Sequence, residues 1–402
     1  MDAHTPPQLK NKCSACGTSP VNHTLARVVN SISGIVEPLG HFIFGWIPVK
    51  NGGTLMNTLD GIRYAFLSSV GMVKWSDDIE KATTGRAKLI WQEARDRGID
   101  MQQVIIWKKP VEQYRAKIDG KWQYFESLPI PSWLPQSAYS WLDDKFILKK
   151  KLTRAGIAVP KAKVFATWSG AQKAFEVLTK PIIVKPRVGT RGRHTTTNIG
   201  TLDEMKKAYD LTRQITPYMV AEEHLFGSVY RATVVGGKIV GFFRADPPQV
   251  TGDGVQTIAQ LVQEKNFQKS ERVGEITIND DVISFLSRQG YTPESVPEKA
   301  RIVNLTAKTG RFYGGYTKEM LPEVHPKLVE IFNRISDVVP APILGFDLII
   351  PDATADPDTQ RWGIIECNSL PFIDLHYFAL EGTPVNVAKP VWDLWEKNPF
   401  QK

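Results

Sequence analysis

The chain has 402 residues, which is too long for one small core and predicts two or three domains. Hydrophobic residues make up 42% of the chain and charged residues 23%, a globular composition that excludes a largely disordered protein. The formal net charge is +8, but the basic residues are spread along the chain and no nucleic-acid motif accompanies them, so we expect no nucleic-acid partner.

The first feature along the chain is a pair of cysteines, Cys13 and Cys16, in the sequence CSAC. This spacing is half of a structural zinc site, and a second ligand pair does not follow it. His4 or His23 could complete such a site, but the simpler prediction is two free thiols near the terminus. With Cys367 the chain has 3 cysteines, too few for a disulfide-built fold, and we predict a cytoplasmic protein.

Residues 31–49 are the most apolar stretch of the chain. Glu37, Pro38 and His41 interrupt this stretch, so its apolar runs are much shorter than a bilayer span. No basic segment with a small-residue cleavage site precedes it. We predict buried domain structure and no membrane span, with contact to a membrane surface as the alternative.

The part of the chain before residue 135 alternates helix-like and strand-like patterns. Apolar residues at helical spacing predict a helix within 77–99, and 103–109 is a β-rich run. Asp119-Gly120 between two alternating runs predicts a hairpin. A stretch rich in proline and serine, 127–137, predicts a linker. We assign residues 1–135 to an α/β N-terminal domain that helps to shape the substrate site.

The pattern changes after the linker. An amphipathic helix within 140–160 is followed by strands and helices, and from residue 220 onward strands dominate. This mixture predicts α+β structure with antiparallel sheets. We divide this part into two subdomains, 136–219 and 220–402.

The segment IVKPRVGTRGRHTTTNIG, residues 183–200, is a strand that opens into a basic, glycine-spaced loop. Backbone N–H groups in such a loop can line a polyphosphate, while Lys185 and Lys145 act as point charges. The loop matches neither the dinucleotide-binding fingerprint nor the Walker pattern. A mobile basic hairpin without a ligand is therefore the alternative.

Acidic and basic residues follow in the next strands. Glu222 and Glu223 in VAEEHLFG end a strand, and Glu222 can accept a hydrogen bond from an adenine amino group; an exposed acidic pair is the alternative. Arg231 and Arg244 could hold a carboxylate or a transferring phosphoryl group in a bidentate way. Their alternative is a structural salt bridge, for example to Asp253.

Three oxygen-bearing side chains end two β runs near the carboxyl terminus: Asp347 in GFDLII, and Glu366 with Asn368 in IIECN. Glu366 and Asn368 share one face of their strand because residues i and i+2 point the same way. Hard oxygen ligands suit Mg²⁺, and an acidic residue among apolar β residues is costly to bury without a partner. We therefore predict a metal site.

The order of these motifs resembles the ATP-grasp superfamily, and most closely the ATP-grasp module of cyanophycin synthetases and bifunctional glutathione synthetases. The resemblance extends from about Leu142 to Trp395. It rests on the joint order and spacing of DDKFILKKKLTRAGIAVP, IVKPRVGTRGRHTTTNI, VAEEHLFGSVYRATVVGGKIVGFFRADPPQVTGDGVQTIAQLV, GGYTKEMLPEVHP, GFDLIIP and IIECNSLPFIDLHYF.

The resemblance implies an α+β ATP-grasp fold in which two subdomains grip ATP. It implies an ADP-forming ligase: ATP phosphorylates a carboxylate, and an amine attacks the acyl phosphate to form an amide or peptide bond. The substrates would be small molecules, namely an amino acid or small peptide-like acid and an amine. The cofactors would be ATP and one or two Mg²⁺ ions, with Mn²⁺ as a substitute.

The resemblance also implies roles for individual residues. The ATP-binding residues would be Lys145, Lys185, Gly189, Gly192, His194, Thr195, Thr196, Glu222, Glu223 and Leu225. The metal ligands would be Asp347, Glu366 and Asn368. Lys185, Arg231 and Arg244 would be catalytic, and substrate would be bound by Arg311, Gly314, Gly315 and His376.

Two positions and one segment depart from the family pattern. The segment is TGRFYGG, residues 309–315, which stands where Asn-Leu-Ser-Thr-Gly-Gly is usual and brings Arg311 and two aromatics to the place expected near the substrate. Val229 stands where an acidic residue usually binds the ribose, a role that Glu223 could take over, and Phe372 stands where glycine is usual. We expect an altered substrate pocket rather than loss of ATP chemistry. The alternatives are a small-molecule kinase and a nucleotide-binding regulatory protein with reduced catalysis. Two kinds of macromolecular partner are left as alternatives: a second copy of the chain in a homo-oligomer, or a pathway partner bound through the N-terminal domain.

Overall fold

The structure, a computed structural model, describes residues 13–16, 21–31, 52–131, 134, 139–142, 144–188 and 193–396. The apolar stretch, apart from its first residue, and residues 189–192 of the basic loop lie outside the described residues. Among the helices that are described, none combines the length and the apolar character needed to cross a bilayer.

Residues 52–126 of the N-terminal domain form one four-stranded sheet, in the order β1-β2-β3-β4, and two α-helices. Its elements are α2 (Gly52–Ser69), β1 (Val73–Ser76), α3 (Gly85–Asp96), β2 (Met101–Ile106), β3 (Lys109–Ile118) and β4 (Lys121–Glu126). Every neighbouring pair of strands is antiparallel, so this domain is α+β in type. The prediction of an α/β domain rested on alternating helix- and strand-like patterns, which do not reveal the direction of pairing.

Of the two local predictions in this domain, the hairpin is confirmed and the helix is shorter than predicted. The hairpin is confirmed: Asp119 and Gly120 join β3 to β4 with φ of 50° and 76°, the left-handed conformation that a tight hairpin turn requires. The helix predicted within 77–99 is shorter, because Thr84 caps α3 by accepting a hydrogen bond from the Ala87 N–H.

The first subdomain contains a four-stranded antiparallel sheet in the order β5-β8-β6-β7. Its elements are α4 (Tyr139–Leu142), α5 (Lys145–Arg154), β5 (Ala162–Phe165), α6 (Trp168–Val177), β6 (Ile182–Pro186), β7 (Thr196–Ile199), α7 (Leu202–Arg213) and β8 (Met219–Glu223). Helices α6 and α7 pack on the sheet around Ala171, Ile182 and Met205. The predicted boundary at 219/220 therefore falls inside β8, and the subdomain ends after this strand.

The described N-terminal segment lies against this first subdomain. It consists of a 3₁₀ turn at Ser14–Cys16 and a helix over residues 23–31, which we label α1. Asn30 Nδ2 donates a hydrogen bond of 2.8 Å to the carbonyl of Ile215, just beyond α7. The His194 N–H donates to the carbonyl of Ala15 at 3.0 Å. The segment is thus attached at two points.

The second subdomain is built on a five-stranded antiparallel sheet in the order β13-β10-β9-β14-β15. These strands are β9 (Ser228–Val235), β10 (Lys238–Ala245), β13 (Thr317–Glu319), β14 (Ile343–Ile350) and β15 (Gly363–Asn368). A small lobe with its own core comprises β11 (Gln249–Thr251), α8 (Ile258–Gln268), α9 (Asp280–Ser287) and β12 (Ile302–Asn304). Helices α10 (Pro326–Arg334), α11 (Asp374–Tyr377) and α12 (Ala388–Glu396) follow.

The five-stranded sheet has two chemically different faces. On one face Tyr230 and Phe346 pack with Leu148 of α5 in the largest hydrophobic core. Arg231 and Asp347 are the next residues of the same strands, so they point to the opposite face. The polar residues of the site are therefore carried on a rigid sheet whose other side is fully packed.

The carboxyl-terminal helix packs on the N-terminal domain. Trp392 of α12 is buried and its Nε1 donates a hydrogen bond of 3.0 Å to the carbonyl of Ile90 in α3. Trp91 and Tyr114 of the domain share a hydrophobic core with Trp392 and with Ile343 of β14. The N-terminal domain is thus held against the face of the sheet that carries the polar site.

Candidate active site

Three buried lysines come together at the junction of the two subdomains. Asp144 caps α5 through the N–H groups of Phe146 and Ile147, which places Lys145 in the first turn and Lys149 in the next. The Lys145 N–H also donates to the carbonyl of Arg187 at 3.1 Å, which fixes the helix start against the end of β6. Lys185, on β6, is the third buried lysine.

Glu222 of β8 lies between two of these lysines. Its carboxylate oxygens are 2.8 Å from Lys149 Nζ and 2.9 Å from Lys185 Nζ. Burial opposes ionisation of Glu222, but the two ammonium groups outweigh it and lower its pKa. The predicted contact of Glu222 with the adenine stays a prediction: Oε2 pairs with Lys185, whereas Oε1 has no hydrogen-bond partner among the described residues although Lys149 Nζ is 2.8 Å away.

Lys149 is a site residue that the sequence did not indicate. Burial lowers its pKa to about 8, although Glu222 partly offsets this, and its Nζ donates to the carbonyl of Ile365 at 2.7 Å. In the sequence it lies within KFILKKK, a run typical of a solvated helix face. Only the helical position, one turn after Lys145, could have indicated that Lys149 points inward.

The three predicted metal ligands share one face of adjacent strands. In the register of β14 and β15, Asp347 pairs with Glu366 and Gly345 pairs with Asn368. Asn368 Nδ2 lies 3.4 Å from Glu366 Oε1, and Lys145 Nζ lies 3.8 Å from Glu366 Oε2. The structure therefore brings the oxygen ligands together beside a lysine of the other subdomain.

The pKa values of the two carboxylates in this cluster shift in opposite directions. Burial raises the pKa of Asp347, and Arg231 only partly offsets this. Burial also disfavours the charged form of Glu366, but Lys145, Lys185 and Arg231 outweigh it and lower its pKa. Because Lys145 Nζ lies 3.8 Å from Glu366 Oε2, the first subdomain and the sheet of the second subdomain meet at this cluster.

Arg231 and Arg244 are not equivalent. Arg231 makes a two-point ion pair with Asp347, its Nη2 lying 2.8 Å from Oδ2. In the register, Arg244 pairs with Tyr230, on the apolar face, and forms an ion pair of 2.7 Å with Asp246. The prediction that both arginines face the same phosphoryl group is therefore wrong for Arg244.

The residues present fit a divalent cation and a phosphate. Two carboxylates and a side-chain amide form a hard oxygen donor set of the kind that Mg²⁺ prefers. Arg231 Nη1 is buried and has no hydrogen-bond partner among the described residues. Because an unpaired buried donor costs free energy, this atom is suited to an anionic ligand.

Apart from the lysines, the structure describes only some of the residues predicted to bind the nucleotide. Gly189 and Gly192 lie outside the described residues, and Thr196 begins β7 beside Val184. Thr195 immediately precedes this strand and is half-buried, and Leu225 is buried just beyond β8.

Two further residues predicted to bind the nucleotide have other partners. Glu223 accepts the Thr179 N–H at 3.1 Å and pairs with Arg361 at 2.8 Å. The His194 ring is buried, with Nδ1 2.8 Å from the carbonyl of Leu211 and Nε2 3.4 Å from Cys16 Sγ. We remove both from the nucleotide site because their polar atoms are already engaged.

The predicted substrate residues also separate into two groups. His376 is fully buried between Glu319 and Thr233, so it supports the fold rather than contacting a ligand. A Cβ on Gly314 would lie 2.2 Å from Ile276 Cγ1, and one on Gly315 would lie 2.1 Å from the Asp246 carbonyl oxygen. Both glycines are thus required for close packing of their loop.

Arg311 remains available for substrate binding, and the structure adds neighbours to it. Asp374 is close enough to influence the pKa of Arg311, which burial lowers. Arg86 of the N-terminal domain lies over the ring of Phe372 at 4.8 Å and bonds to the carbonyl of Leu370. Sequence patterns could not indicate Arg86, because its proximity depends on how the domains pack.

The chain is similar in sequence to known proteins. The chain is 31% identical to the cyanophycin synthetase of Synechocystis over 260 residues, which cover 62% of this chain and 30% of that protein. It is 26% identical to a bifunctional glutathione biosynthesis protein of Listeria innocua, over 85% of this chain and 43% of that protein. No protein-family profile matches the chain.

A solved structure shows the same architecture. The bifunctional glutathione synthetase of Pasteurella multocida superposes with a TM-score of 0.53 and 24% identity, over 77% of this chain and 44% of that protein. The chain has the ATP-grasp fold. The sequence-based prediction of an ATP-grasp protein related to cyanophycin and glutathione synthetases is thereby confirmed. The chain spans about a third of the length of the Synechocystis cyanophycin synthetase.

Proposed function

We propose that the protein is an ATP- and Mg²⁺-dependent ligase that joins a carboxylate to an amine through an acyl phosphate, releasing ADP and phosphate. The observation that carries this proposal is the meeting of Lys145 and Lys185 from the first subdomain with Asp347, Glu366 and Asn368 from the sheet of the second. Such a cleft can neutralise and align a triphosphate, which is the main requirement of phosphoryl transfer.

The nucleotide would be held by residues of both subdomains. Lys145 and Lys185 would contact its phosphates, the loop from Gly189 to Thr196 would cover them, and Leu225 would contact the adenine. Glu222 orients Lys185 through their 2.9 Å contact. Lys149 would act through Glu222 as a positioning residue.

The metal site would be formed by Asp347, Glu366 and Asn368, holding one or two Mg²⁺ ions for which Mn²⁺ could substitute. When bound, such ions polarise phosphoryl oxygens and neutralise the charge of the triphosphate. Arg231 holds the Asp347 carboxylate in place while its unpaired Nη1 is available to a phosphoryl or carboxylate oxygen.

The reaction proceeds in two steps. An oxygen of the substrate carboxylate attacks the γ-phosphorus, a phosphorus–oxygen bond forms and ADP leaves. The amine then attacks the acyl carbon, inorganic phosphate leaves and the amine proton is lost, which gives the amide. The protein supplies positive charge and alignment at both steps and needs no nucleophile of its own.

We place the acid substrate between the N-terminal domain and the strand end of β15. Arg86, Phe372, Asp374 and Arg311 surround this region. Arg311 can hold a carboxylate, whereas Arg86 is already paired with Glu112 and positions Leu370 and Phe372. Asp374, whose Oδ1 is buried without a partner among the described residues, can accept from an ammonium group. An amino acid or small peptide-like acid fits these groups, and the names of the similar proteins, cyanophycin synthetase and glutathione synthetase, favour the same class.

The test is ADP release by the purified protein with ATP, Mg²⁺ and pools of amino acids and dipeptides. We expect ADP only when acid and amine are both present, and a hydroxamate when hydroxylamine replaces the amine, because hydroxylamine traps an acyl phosphate. Glu366→Gln should abolish both signals. A stable phosphorylated product without an amide would instead identify a kinase, and tight ATP binding without turnover on any pool would identify a binding protein.

A further inference from the structure

Four potential metal ligands lie together where the N-terminal segment meets the first subdomain, and none of them belongs to the proposed oxygen site. Cys13, Cys16, His23 and His194 each direct one ligand atom to a common point, and all four atoms lie within 4.8 Å of one another. Among the described residues, no other group of three or more cysteines, histidines or carboxylates lies as close together. The predicted pair of free thiols is thus not isolated: His23 and a distant histidine complete it.

The distances agree with a tetrahedral site. Cys16 Sγ lies 3.2 Å from His23 Nε2 and 3.4 Å from His194 Nε2, and Cys13 Sγ lies 3.8 Å from His194 Nε2. With zinc–sulfur and zinc–nitrogen bonds of about 2.3 and 2.0 Å, sulfur and nitrogen ligands of a tetrahedral ion are about 3.6 Å apart. The observed distances bracket this value.

The surroundings of His194 are those of a metal ligand. Its Nδ1 lies 2.8 Å from the carbonyl of Leu211, so Nδ1 carries the proton and donates it, leaving Nε2 with a lone pair directed at the sulfur atoms. Its backbone is fixed as well, since Thr212 Oγ1 donates to the His194 carbonyl at 2.9 Å. The ring is 1% exposed, and Cys16 is 3% exposed.

The two cysteines are pre-arranged by a local turn. The Cys16 N–H donates to the carbonyl of Cys13 at 3.1 Å within the 3₁₀ turn Ser14–Cys16, so the spacing of two residues brings both sulfur atoms to one side. This spacing is typical of structural zinc sites, and two thiolates with two imidazoles form a complete tetrahedral set without an open position.

We propose that Cys13, Cys16, His23 and His194 bind one Zn²⁺ ion in a closed structural site. The ion would join the N-terminal segment to His194, the residue at the far end of the basic loop that starts after β6. Because the binding energy of a structural zinc is folding energy for the segments that it joins, the ion would fix this end of the loop against α7. The zinc ligands include none of the lysines or oxygen ligands of the proposed ligase site.

The first test is the zinc content of the full chain purified without chelators. Mass spectrometry of metals should find one Zn²⁺ per chain in the wild type. The double variant Cys13→Ser/Cys16→Ser should lose the metal, and His23→Ala should bind it at least about tenfold more weakly. Cys367→Ala, which removes the third cysteine, and Glu366→Gln, at the oxygen cluster, should retain one equivalent. Wild-type zinc content in the double variant would overturn the proposal.

A second measurement does not depend on folding of a variant. Chelator-treated wild-type protein titrated with Co²⁺ should develop the intense visible absorption and thiolate charge-transfer bands of a tetrahedral site. A weak octahedral spectrum, or a Cys13–Cys16 disulfide in freshly purified protein, would contradict it. Chelation should also speed amide hydrogen exchange in residues 13–16, 21–31 and 194–199 and leave exchange in β1 to β4 unchanged. If chelation changed the exchange rates of the zinc-linked segments and of β1 to β4 equally, the ion would not link these segments.

Discussion

Glu222 is a fully buried carboxylate whose charge is balanced by Lys149 on one side and Lys185 on the other. Two lysines and one glutamate leave a net positive charge in a place with little solvent. Burying this net charge costs free energy, and the negative charge of a bound polyanion offsets that cost. Sequence reasoning found Lys185 because a strand end and a glycine-spaced loop mark it, whereas Lys149 was hidden in a run of surface-like lysines.

Removal of the charge on Glu222 should destabilise the protein strongly. Glu222→Gln leaves two buried ammonium groups without a counter-charge, and loss of one partner of a buried ion pair costs about 3–5 kcal/mol. Urea unfolding monitored by circular dichroism measures the change. The matched control is Glu223→Gln, since its partner Arg361 is largely exposed and the loss should be about 1 kcal/mol. Equal losses in the two variants would contradict the role given to Glu222.

At the scale of elements, the registers of β9, β10, β14 and β15 decide which residues can act together. Asp347 and Glu366 were predicted to be neighbours because each lies at the end of an apolar β run, and the strand pairing agrees. Arg244 was placed with Arg231 because both follow the Glu222 strand. The register of β9 and β10 decides to which face of the sheet Arg244 points. Arg244 pairs with Tyr230, and the sequence alone does not reveal this pairing.

A close approach within this sheet gives an element-scale prediction. A Cβ on Gly345 of β14 would lie 2.6 Å from Pro371 Cβ and 3.2 Å from Arg231 Nη1, so Gly345→Ala must shift the 369–374 loop away from Arg231. Because displacement of a positioning group by about 1 Å can cost up to 10²-fold, we expect kcat/KM to fall at least about tenfold. Gly61→Ala, in α2 with ordinary contacts at 3.5 Å, is the control and should keep its activity. Unchanged kcat/KM in Gly345→Ala would show that this loop is not part of the site.

At the scale of the whole molecule, the fold class and the order of site residues could be predicted, while contacts between distant segments could not. The motifs from Lys145 to Asn368 follow one another in the order typical of ATP-grasp proteins, and local patterns were sufficient for that. Arg86 reaches Leu370 only because α12 packs on α3, and His194 meets Cys16 across 178 residues of sequence. No local pattern encodes either approach.

The central claim is that the two subdomains close on a triphosphate whose charge is neutralised by lysines of the first subdomain and by a metal site on the sheet of the second. The most direct test is the rate of ADP formation by Lys185→Met, measured beside Lys163→Met, which removes an exposed lysine of the same sheet. We predict a loss of about 10²–10³-fold for Lys185→Met in a folded protein, the usual effect of removing one charge-stabilising group, and an unchanged rate for Lys163→Met. Wild-type turnover in folded Lys185→Met would contradict the account.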